Sequence, residues 1–262
     1  MKELNFQYEM KLRFDHPVSK HHFTLHCLPQ SSRRQRIQDL AFEVSPYDSI
    51  SQSHDSFGNR YVYGCCLREH TGFDLRVSGS AAAGLVIHEE DPYCPPFYKY
   101  PSSYTRPGEG IAAYDRRLKA RYSGAPGLDY ALFMMRAIHE DLVYSPGSTG
   151  VGTTAEAALK LGKGVCQDFT HILISLCRLN SIPARYVVGM LTGEGLSHAW
   201  AEVYTDGFWT GLDPTNNTIV SDQHIKISNG RDYNDCRINL GVFSGYAKQT
   251  QQVSVIVKEE TL

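Results

Sequence analysis

The chain has 262 residues, of which 42% are hydrophobic and 21% are charged, which is the composition of a globular protein with a sizeable core. Its formal net charge is -2, so no overall positive field selects nucleic acid or an anionic membrane as a partner. The richest basic run, Arg33, Arg34 and Arg36, is short and lacks interleaved aromatic residues. This pattern favours a solvated loop.

Cellular location is predicted from what the sequence lacks. No apolar run approaches the roughly 20 residues that span a bilayer. The first ten residues, MKELNFQYEM, lack the apolar stretch of a secretory signal. If the natural chain begins here, we expect a cytoplasmic protein. The seven cysteines lack the regular spacing of a disulfide scaffold, so we also expect reduced thiols.

The first hundred residues have the pattern of β structure. Residues 4–14 alternate apolar and polar side chains, the period of a half-buried strand. Turn-rich pieces separate the further predicted strands, which are 23–28, 40–44, 59–67 and 73–78. Many short strands joined by turns indicate a β-sandwich.

Residues 91–107 hold five prolines and four tyrosines. Such a segment cannot continue a helix or a central strand. We interpret it as the linker between an N-terminal β-sandwich domain, residues 1–105, and a second domain, residues 106–262. The alternative is a proline-rich ligand for a partner domain.

The second half begins with predicted helices. The first covers 128–144, and the second begins at Thr153, where Thr153 and Glu156 have the spacing of a capping box. Gly162 and Gly164 are predicted to end that helix. A third helix begins near Cys166. Its apolar residues recur on one face, at Phe169, Ile172, Leu173, Leu176 and Cys177.

Predicted strands follow the helices, at 184–191, 198–205, 208–213 and 253–258. Helices followed by an antiparallel sheet indicate an α+β domain.

Cys166 is the first candidate for chemistry. It lies in the first turn of a predicted helix, after a loop that contains Gly164. The free N–H groups and the positive end of the helix dipole favour a thiolate there. The backbone N–H of Cys166 can also stabilise an oxyanion. The alternative is a small buried cysteine.

His198 and Asp213 are brought together by a predicted hairpin. Asp206-Gly207 is a strong signal for a two-residue type I′ turn. Cross-strand partners then have numbers that sum to 413, so Trp200 faces Asp213. His198 and Asp213 become diagonal neighbours on one face, within reach of a hydrogen bond. A nucleophile, a base and a group that orients the base are the parts of a papain-like site.

The residues around these three positions resemble the core of the transglutaminase-like superfamily. The matching blocks are GVCQDFTHILISLCRLNSIPARYVVGML, then SHAWAEVY and DGFW, then GLDPTNN, within about residues 130–217. The first domain, including DSFGNRY, resembles the β domain that accompanies this core in bacterial members. The resemblance implies a papain-like α+β fold with Cys166 as nucleophile, His198 as base and Asp213 as orienting group. It does not place the second oxyanion donor, and we expect Trp200 to pack.

The implied function is a cysteine-nucleophile enzyme that acts on carboxamide bonds of a peptide or protein substrate through a thioester acyl-enzyme. We favour hydrolysis, by a cysteine protease or amidase, because a small intracellular protein has no evident reason to cross-link. The alternatives are a protein-glutamine acyltransferase and a non-catalytic binding module on the same fold. Asp213 is expected to face the cleft and to contribute little to stability.

Other polar clusters have weaker signals. His21-His22, Cys65-Cys66 and residues 139–141 lack the spacing of CxxC or HExxH metal sites. Residues 88–91 lack the pattern of a calcium loop. We therefore expect neither a metal nor a cofactor. Asp168 and Glu202 are expected to make structural hydrogen bonds.

Overall fold

A computed structural model describes residues 1–260. The N-terminal part of the chain forms six strands, β1 (Lys2–Leu25), β2 (Gln35–Ser45), β3 (Ser49–His54), β4 (Arg60–Cys66), β5 (His70–Ala83) and β6 (His88–Glu90). A 3-10 helix, Pro96–Lys99, leads to the middle part, which consists of α1 (Glu109–Lys119), α2 (Leu128–Asp141), β7 (Val143–Tyr144), α3 (Ala155–Leu161), β8 (Lys163–Gly164) and α4 (Cys166–Leu179).

The C-terminal part is mostly strand. It consists of β9 (Ala184–Leu191), β10 (Gly193–Gly195), β11 (His198–Thr205), β12 (Phe208–Asp213), β13 (Thr218–Ile219), β14 (His224–Gly230), a 3-10 helix (Tyr233–Cys236), β15 (Asn239–Ser244) and β16 (Gln249–Glu259). Among the helices of residues 1–260, none combines the length and the apolar content that crossing a membrane requires.

The long strand β1 organises the first sheet. Its predicted alternation is confirmed, since the apolar residues of 4–14 are all buried. The first half of β1 pairs with β5 and β16, and the second half pairs with β4 and β15. The register shifts between Arg13 and Val18. Phe23 then packs on Phe73 of β5, with ring centroids 4.8 Å apart. Apolar side chains from the two halves of this sheet therefore pack together.

Three further predicted strands, at 40–44, 59–67 and 73–78, correspond to β2, β4 and β5. Strand β3 was not predicted. Its sequence, SISQSH, carries one large apolar residue, and every position is exposed or half-buried. Because β3 pairs only with β4 among the strands of residues 1–260, it needs no apolar face and leaves no hydrophobic pattern.

The second sheet carries the predicted α+β unit. Its strand order is β13-β12-β11-β9-β14, with β6 added beside β12. The strands predicted at 184–191, 198–205 and 208–213 are confirmed by β9, β11 and β12. Helix α4 packs against β9 and β11. The apolar face predicted for α4 is buried along its whole length.

Sheet membership does not follow the predicted division at 105/106. Strands β15 and β16 come late in the chain but pair with β1, and β6 comes early but pairs with β12. Without β16, the first half of β1 would expose an unpaired edge beside a row of large apolar residues. Val255 and Val257 of β16 are buried and belong to a core that is continuous through both sheets.

The segment 91–107 is a connection packed against the protein. Tyr98 and Tyr104 are buried. Arg178 of α4, itself buried, donates to the carbonyl of Tyr98 across 3.1 Å and to the hydroxyl of Thr105 across 2.6 Å. The segment forms few backbone hydrogen bonds within itself. The buried side chain of Arg178 therefore provides hydrogen-bond donors to it.

The predicted capping box at Thr153 is wrong by one residue. Thr154 is the N-cap of α3, and its hydroxyl accepts from the N–H of Ala157. The carboxylate of Glu156 instead accepts from the backbone of the first turn of α1. The predicted end of α3 is confirmed, since Gly162 takes the left-handed conformation with φ of 68°.

Candidate active site

Cys166 is the first residue of α4, as the sequence predicted. The loop before it is held by Asp168, whose carboxylate accepts from the N–H of Val165 across 2.8 Å and from the hydroxyl of Thr149 across 2.6 Å. A Cβ at Gly164 would lie 2.5 Å from that carboxylate. Glycine is therefore required for the close approach of this strand to the helix.

Asp168 has the structural hydrogen-bonding role that we expected. It is buried, and this burial raises its pKa, although the hydrogen bonds from Thr149 and Val165 act in the opposite direction. By bonding back to the N–H of Val165, the carboxylate fixes the first turn of α4. The position of Cys166 thus depends on Asp168 and on its contacts with Val165 and Thr149.

The hairpin between β11 and β12 has the predicted register. Asp206 and Gly207 both have positive φ, 53° and 87°, as a type I′ turn requires. Pairs such as Ala201 with Leu212 have numbers that sum to 413. His198 and Asp213 consequently lie at diagonal positions on one face of the sheet.

His198 lies between Cys166 and Asp213. Its Nε2 donates to Oδ2 of Asp213 across 2.7 Å, and its ring lies close enough to Cys166 for that side chain to raise the pKa of His198. Because Nε2 is directed at Asp213, Nδ1 is the ring atom left for the sulfur. Burial lowers the pKa of His198, but the interactions with Asp213 and Cys166 outweigh burial and raise this pKa to about 10.

Asp213 corrects one expectation. It is fully buried rather than cleft-facing, and each of its carboxylate oxygens accepts several hydrogen bonds. Oδ1 accepts from the N–H groups of Thr215 and Asn216, and Oδ2 accepts from His198, from the Asn216 side chain across 2.8 Å and from His224 across 3.4 Å. Burial raises the pKa of Asp213, but these donors hold it well below its ordinary value.

His224 is a member of the site that the sequence did not reveal. It is buried at the start of β14, and its ring packs edge-on against Trp200 with centroids 5.3 Å apart. The N–H of Ser221 points at its Nδ1 across 3.4 Å, so the ring proton lies on Nε2 and faces Asp213. No local motif marks His224, because β14 reaches the site from the far side of β9.

Trp200 packs, as expected. It is fully buried in a cluster with Val187 and Val220. Among the described residues, none accepts a hydrogen bond from its Nε1–H.

Tyr144 is 54% exposed. Its strand β7 pairs with β8 just before Cys166, and partial burial together with the nearby Cys166 raises the pKa of Tyr144.

The other polar clusters that the sequence suggested lie in different parts of the structure. His21 is buried and stacks on His70 in the first sheet. His139 contacts the carbonyl of Thr215 through Nδ1, across 3.0 Å. The Nε2 atoms of His198 and His224 and a carboxylate oxygen of Asp213 lie within 4.8 Å of one another, a spacing that could hold a metal ion. In this structure both imidazoles are placed to donate to that carboxylate, so the contacts are hydrogen bonds.

Two family models match segments of this chain. Residues 116–214 match the family model of the transglutaminase-like superfamily, and residues 4–82 match that of the bacterial transglutaminase-like N-terminal region. The chain belongs to the transglutaminase-like superfamily. Cys166, His198 and Asp213 all lie in the first of these two matched segments.

Relatives of this transglutaminase-like protein align with different fractions of its sequence. An uncharacterized protein of Mycobacterium leprae is 36% identical over 155 residues, 55% of this chain and 54% of that protein. A protein of Mycobacterium bovis is 38% identical over 114 residues, 37% of this chain and 36% of that protein. The chain thus spans about half the length, or less, of these curated relatives. The crystal structure of a proposed cysteine protease from Cytophaga hutchinsonii has the same fold, with a TM-score of 0.79 and 21% identity over 100% of this chain and 91% of that one.

The transglutaminase-like protein also contains a buried ionic cluster on the triad face of β11. Glu202, which follows His198 and Trp200 on that face, is fully buried. It accepts from Arg185 across 2.6 Å and from Lys226 across 2.7 Å. Burial raises the pKa of Glu202, but the two cations outweigh burial and hold it well below its ordinary value. Glu202 therefore has the structural role expected from the sequence.

Proposed function

We propose that this transglutaminase-like protein is a cysteine-nucleophile amidase or protease that hydrolyses carboxamide bonds of a peptide or protein substrate. The observation that carries the proposal is the placement of His198 between Cys166 and Asp213, with 2.7 Å between Nε2 of His198 and Oδ2 of Asp213. A thiol, a base and a carboxylate in that order form the arrangement that activates a cysteine for attack on a carbonyl.

The first half-reaction forms the acyl-enzyme. The Cys166 sulfur attacks the carbonyl carbon, and its thiolate form is favoured by the imidazolium of His198 and by the N-terminus of α4. The N–H of Cys166 is among the first N–H groups of the helix, which have no partner within the helix. It can therefore donate to the oxyanion of the tetrahedral intermediate. His198 then gives its proton to the leaving amine, and a thioester remains on Cys166.

The second half-reaction consumes the thioester. His198, now neutral, takes a proton from a water molecule, and the hydroxide equivalent attacks the thioester carbonyl to release the acid and the thiol. Partial exposure of Cys166 and the exposed position of Tyr144 beside it support access of water to the thioester. An enzyme that transfers the acyl group to an amine must exclude water at this stage, which favours hydrolysis.

The nucleophile is tested by alkylation with iodoacetamide at pH 6 followed by mass spectrometry. Cys65 and Cys94 are matched internal controls, because they are partly exposed like Cys166. Burial raises the pKa of Cys94 to about 11, so that thiol reacts slowly. We expect Cys166 to be labelled first. Labelling of Cys65 or Cys94 before Cys166 would contradict the proposal.

The reaction is tested by incubation with a peptide library in the presence and absence of a fluorescent primary amine. Hydrolysis predicts cleaved or deamidated peptides with no incorporated amine, and Cys166→Ala should abolish the products. Amine incorporated faster than water would show acyl transfer instead. Absence of both products, with a reactive Cys166, would favour a binding module.

A further inference from the structure

We infer that His224 is a positioning residue of the active site, a second imidazole that holds the carboxylate of Asp213 ionised and oriented toward His198. This inference rests on the proposed function of the Cys166, His198 and Asp213 triad. It adds a fourth side chain, contributed by β14, to a site that β11, β12 and α4 otherwise form.

The direction of the hydrogen bond is set on the far side of the His224 ring. The N–H of Ser221 is directed at Nδ1 across 3.4 Å, and a backbone N–H can only donate. Nδ1 must therefore accept, and in the neutral ring the proton is on Nε2. That Nε2 lies 3.4 Å from Oδ2 of Asp213. His224 thus donates to the same oxygen that accepts from His198.

Burial makes this donor important. Asp213 is fully buried, and His224 is 3% exposed. An ionised carboxylate in such a place needs hydrogen bonds to offset the loss of water. The Nε2–H of His224 supplies one of them. Packing of the ring against Trp200 fixes its orientation.

The titratable groups around Asp213 come from several elements. His198 faces it from β11 and His224 from β14, while Cys166 of α4 lies beyond His198. His139 of α2 contacts the neighbouring carbonyl of Thr215. Loss of the His224 donor should therefore change the acid limb of Cys166 reactivity, because protonation of Asp213 becomes easier and the imidazolium of His198 loses its counter-charge.

The test compares His224→Phe, which keeps an aromatic ring beside Trp200 but has no donor, with His224→Gln, whose Nε2 can still donate. The rate constant for alkylation of Cys166 is measured from pH 4 to pH 9. We expect His224→Phe to lower it about tenfold at pH 6 and to shift the acid limb upward by about one pH unit. His224→Gln should stay within roughly threefold of the wild type.

His26→Phe is the matched control. His26 also contacts a carboxylate at 3.4 Å, that of Asp55, but it lies just after β1 and outside the second sheet. Its replacement should leave the rate and the pH profile unchanged. A loss of rate in His224→Gln that His224→Phe does not share, with an unshifted acid limb, would show that the ring only packs. Wild-type behaviour of both variants would overturn the inference as well.

A measurement on the wild type separates this inference from the proposed function. The ring ¹⁵N shifts of His224 should report a neutral ring protonated at Nε2, and the Nε2 proton of His198 should resonate far downfield. A proton on Nδ1 of His224 would overturn the positioning role even if every variant failed to fold. Slow alkylation of wild-type Cys166 would refute the proposed function and leave the result for His224 standing.

Discussion

The carboxylate of Glu156, in α3, accepts a hydrogen bond from the N–H of Gly110, in α1, across 2.7 Å. Its other oxygen accepts from the N–H groups of Gly108 and Ile111, each across 3.0 Å. One side chain therefore satisfies the first turn of α1, where the backbone lacks partners within the helix and the dipole favours a negative charge. The two helices that precede and follow α2 are joined by this contact.

Glu156→Ala should lower the free energy of unfolding by about 2 kcal/mol, because it leaves three N–H groups without their charged acceptor. Urea unfolding measures the change. Glu109→Ala is the control, since Glu109 is in the same turn of α1 but its side chain is 83% exposed. It should leave the unfolding midpoint almost unchanged, and an equal effect from both variants would refute the assigned role of Glu156.

Gly164→Ala should reduce the reactivity of Cys166. The new methyl group would lie 2.5 Å from Oδ2 of Asp168, so the carboxylate must leave the N–H of Val165 or the strand must move. Either change displaces the first turn of α4. We expect the alkylation rate of Cys166 to fall at least about tenfold. Gly152→Ala is the control, because a Cβ there meets nothing within 4 Å. Similar rates for the two variants would contradict the prediction.

Asp213→Asn should slow acylation by orders of magnitude while the thiol remains in place. Asparagine keeps the shape of the side chain, but it removes the charge that orients His198 and stabilises its imidazolium. Burst kinetics with an activated ester would measure the acylation rate. The variant should still unfold cooperatively. Asp213→Ala should also lower stability, because it leaves the buried donors of Asn216 and His224 without an acceptor. Acylation by Asp213→Asn at the wild-type rate would exclude the triad.

Glu202→Gln should destabilise the protein by about 3–5 kcal/mol, because Arg185 would keep its buried charge without a counter-charge and Lys226 would lose the acceptor that favours its charged form. Glu90→Gln is the control. Glu90 pairs with Arg33, but both side chains are more than 60% exposed, and such pairs contribute little. Chemical denaturation of both variants tests the comparison. A stable Glu202→Gln variant would show that solvent screens the two cations.

The pH dependence of stability should reflect His198. Its pKa is raised from 6.5 to about 10 in the folded protein. A group with a raised pKa stabilises the fold fully below its unfolded value, and this contribution is lost as the pH rises from about 6.5 through 10. Between pH 6 and pH 10 the wild type should therefore lose at least about 1 kcal/mol more stability than His198→Gln. Urea unfolding at the two pH values measures the stability of each protein. Equal losses of stability in the wild type and in His198→Gln would contradict the raised pKa of His198.

The local chemistry of the site could be predicted from the sequence. The turn Asp206-Gly207 has one favoured geometry, and a hairpin with that turn has one register, so the diagonal relation of His198 and Asp213 followed from spacing alone. The start of α4 at Cys166 followed from the glycine before it and the apolar period after it. These features depend on interactions between residues close in the chain.

Only the tertiary structure decided the contacts that join distant segments. His224 reaches Asp213 because β14 pairs with β9, and β16 completes the first sheet because β1 needs a partner on each side. Arg178 holds the segment 91–107, and Glu156 binds the end of another helix. Each of these contacts satisfies a buried polar group or an unpaired strand edge. Such a requirement can be met from any part of the chain, so no local pattern of residues reveals which part meets it.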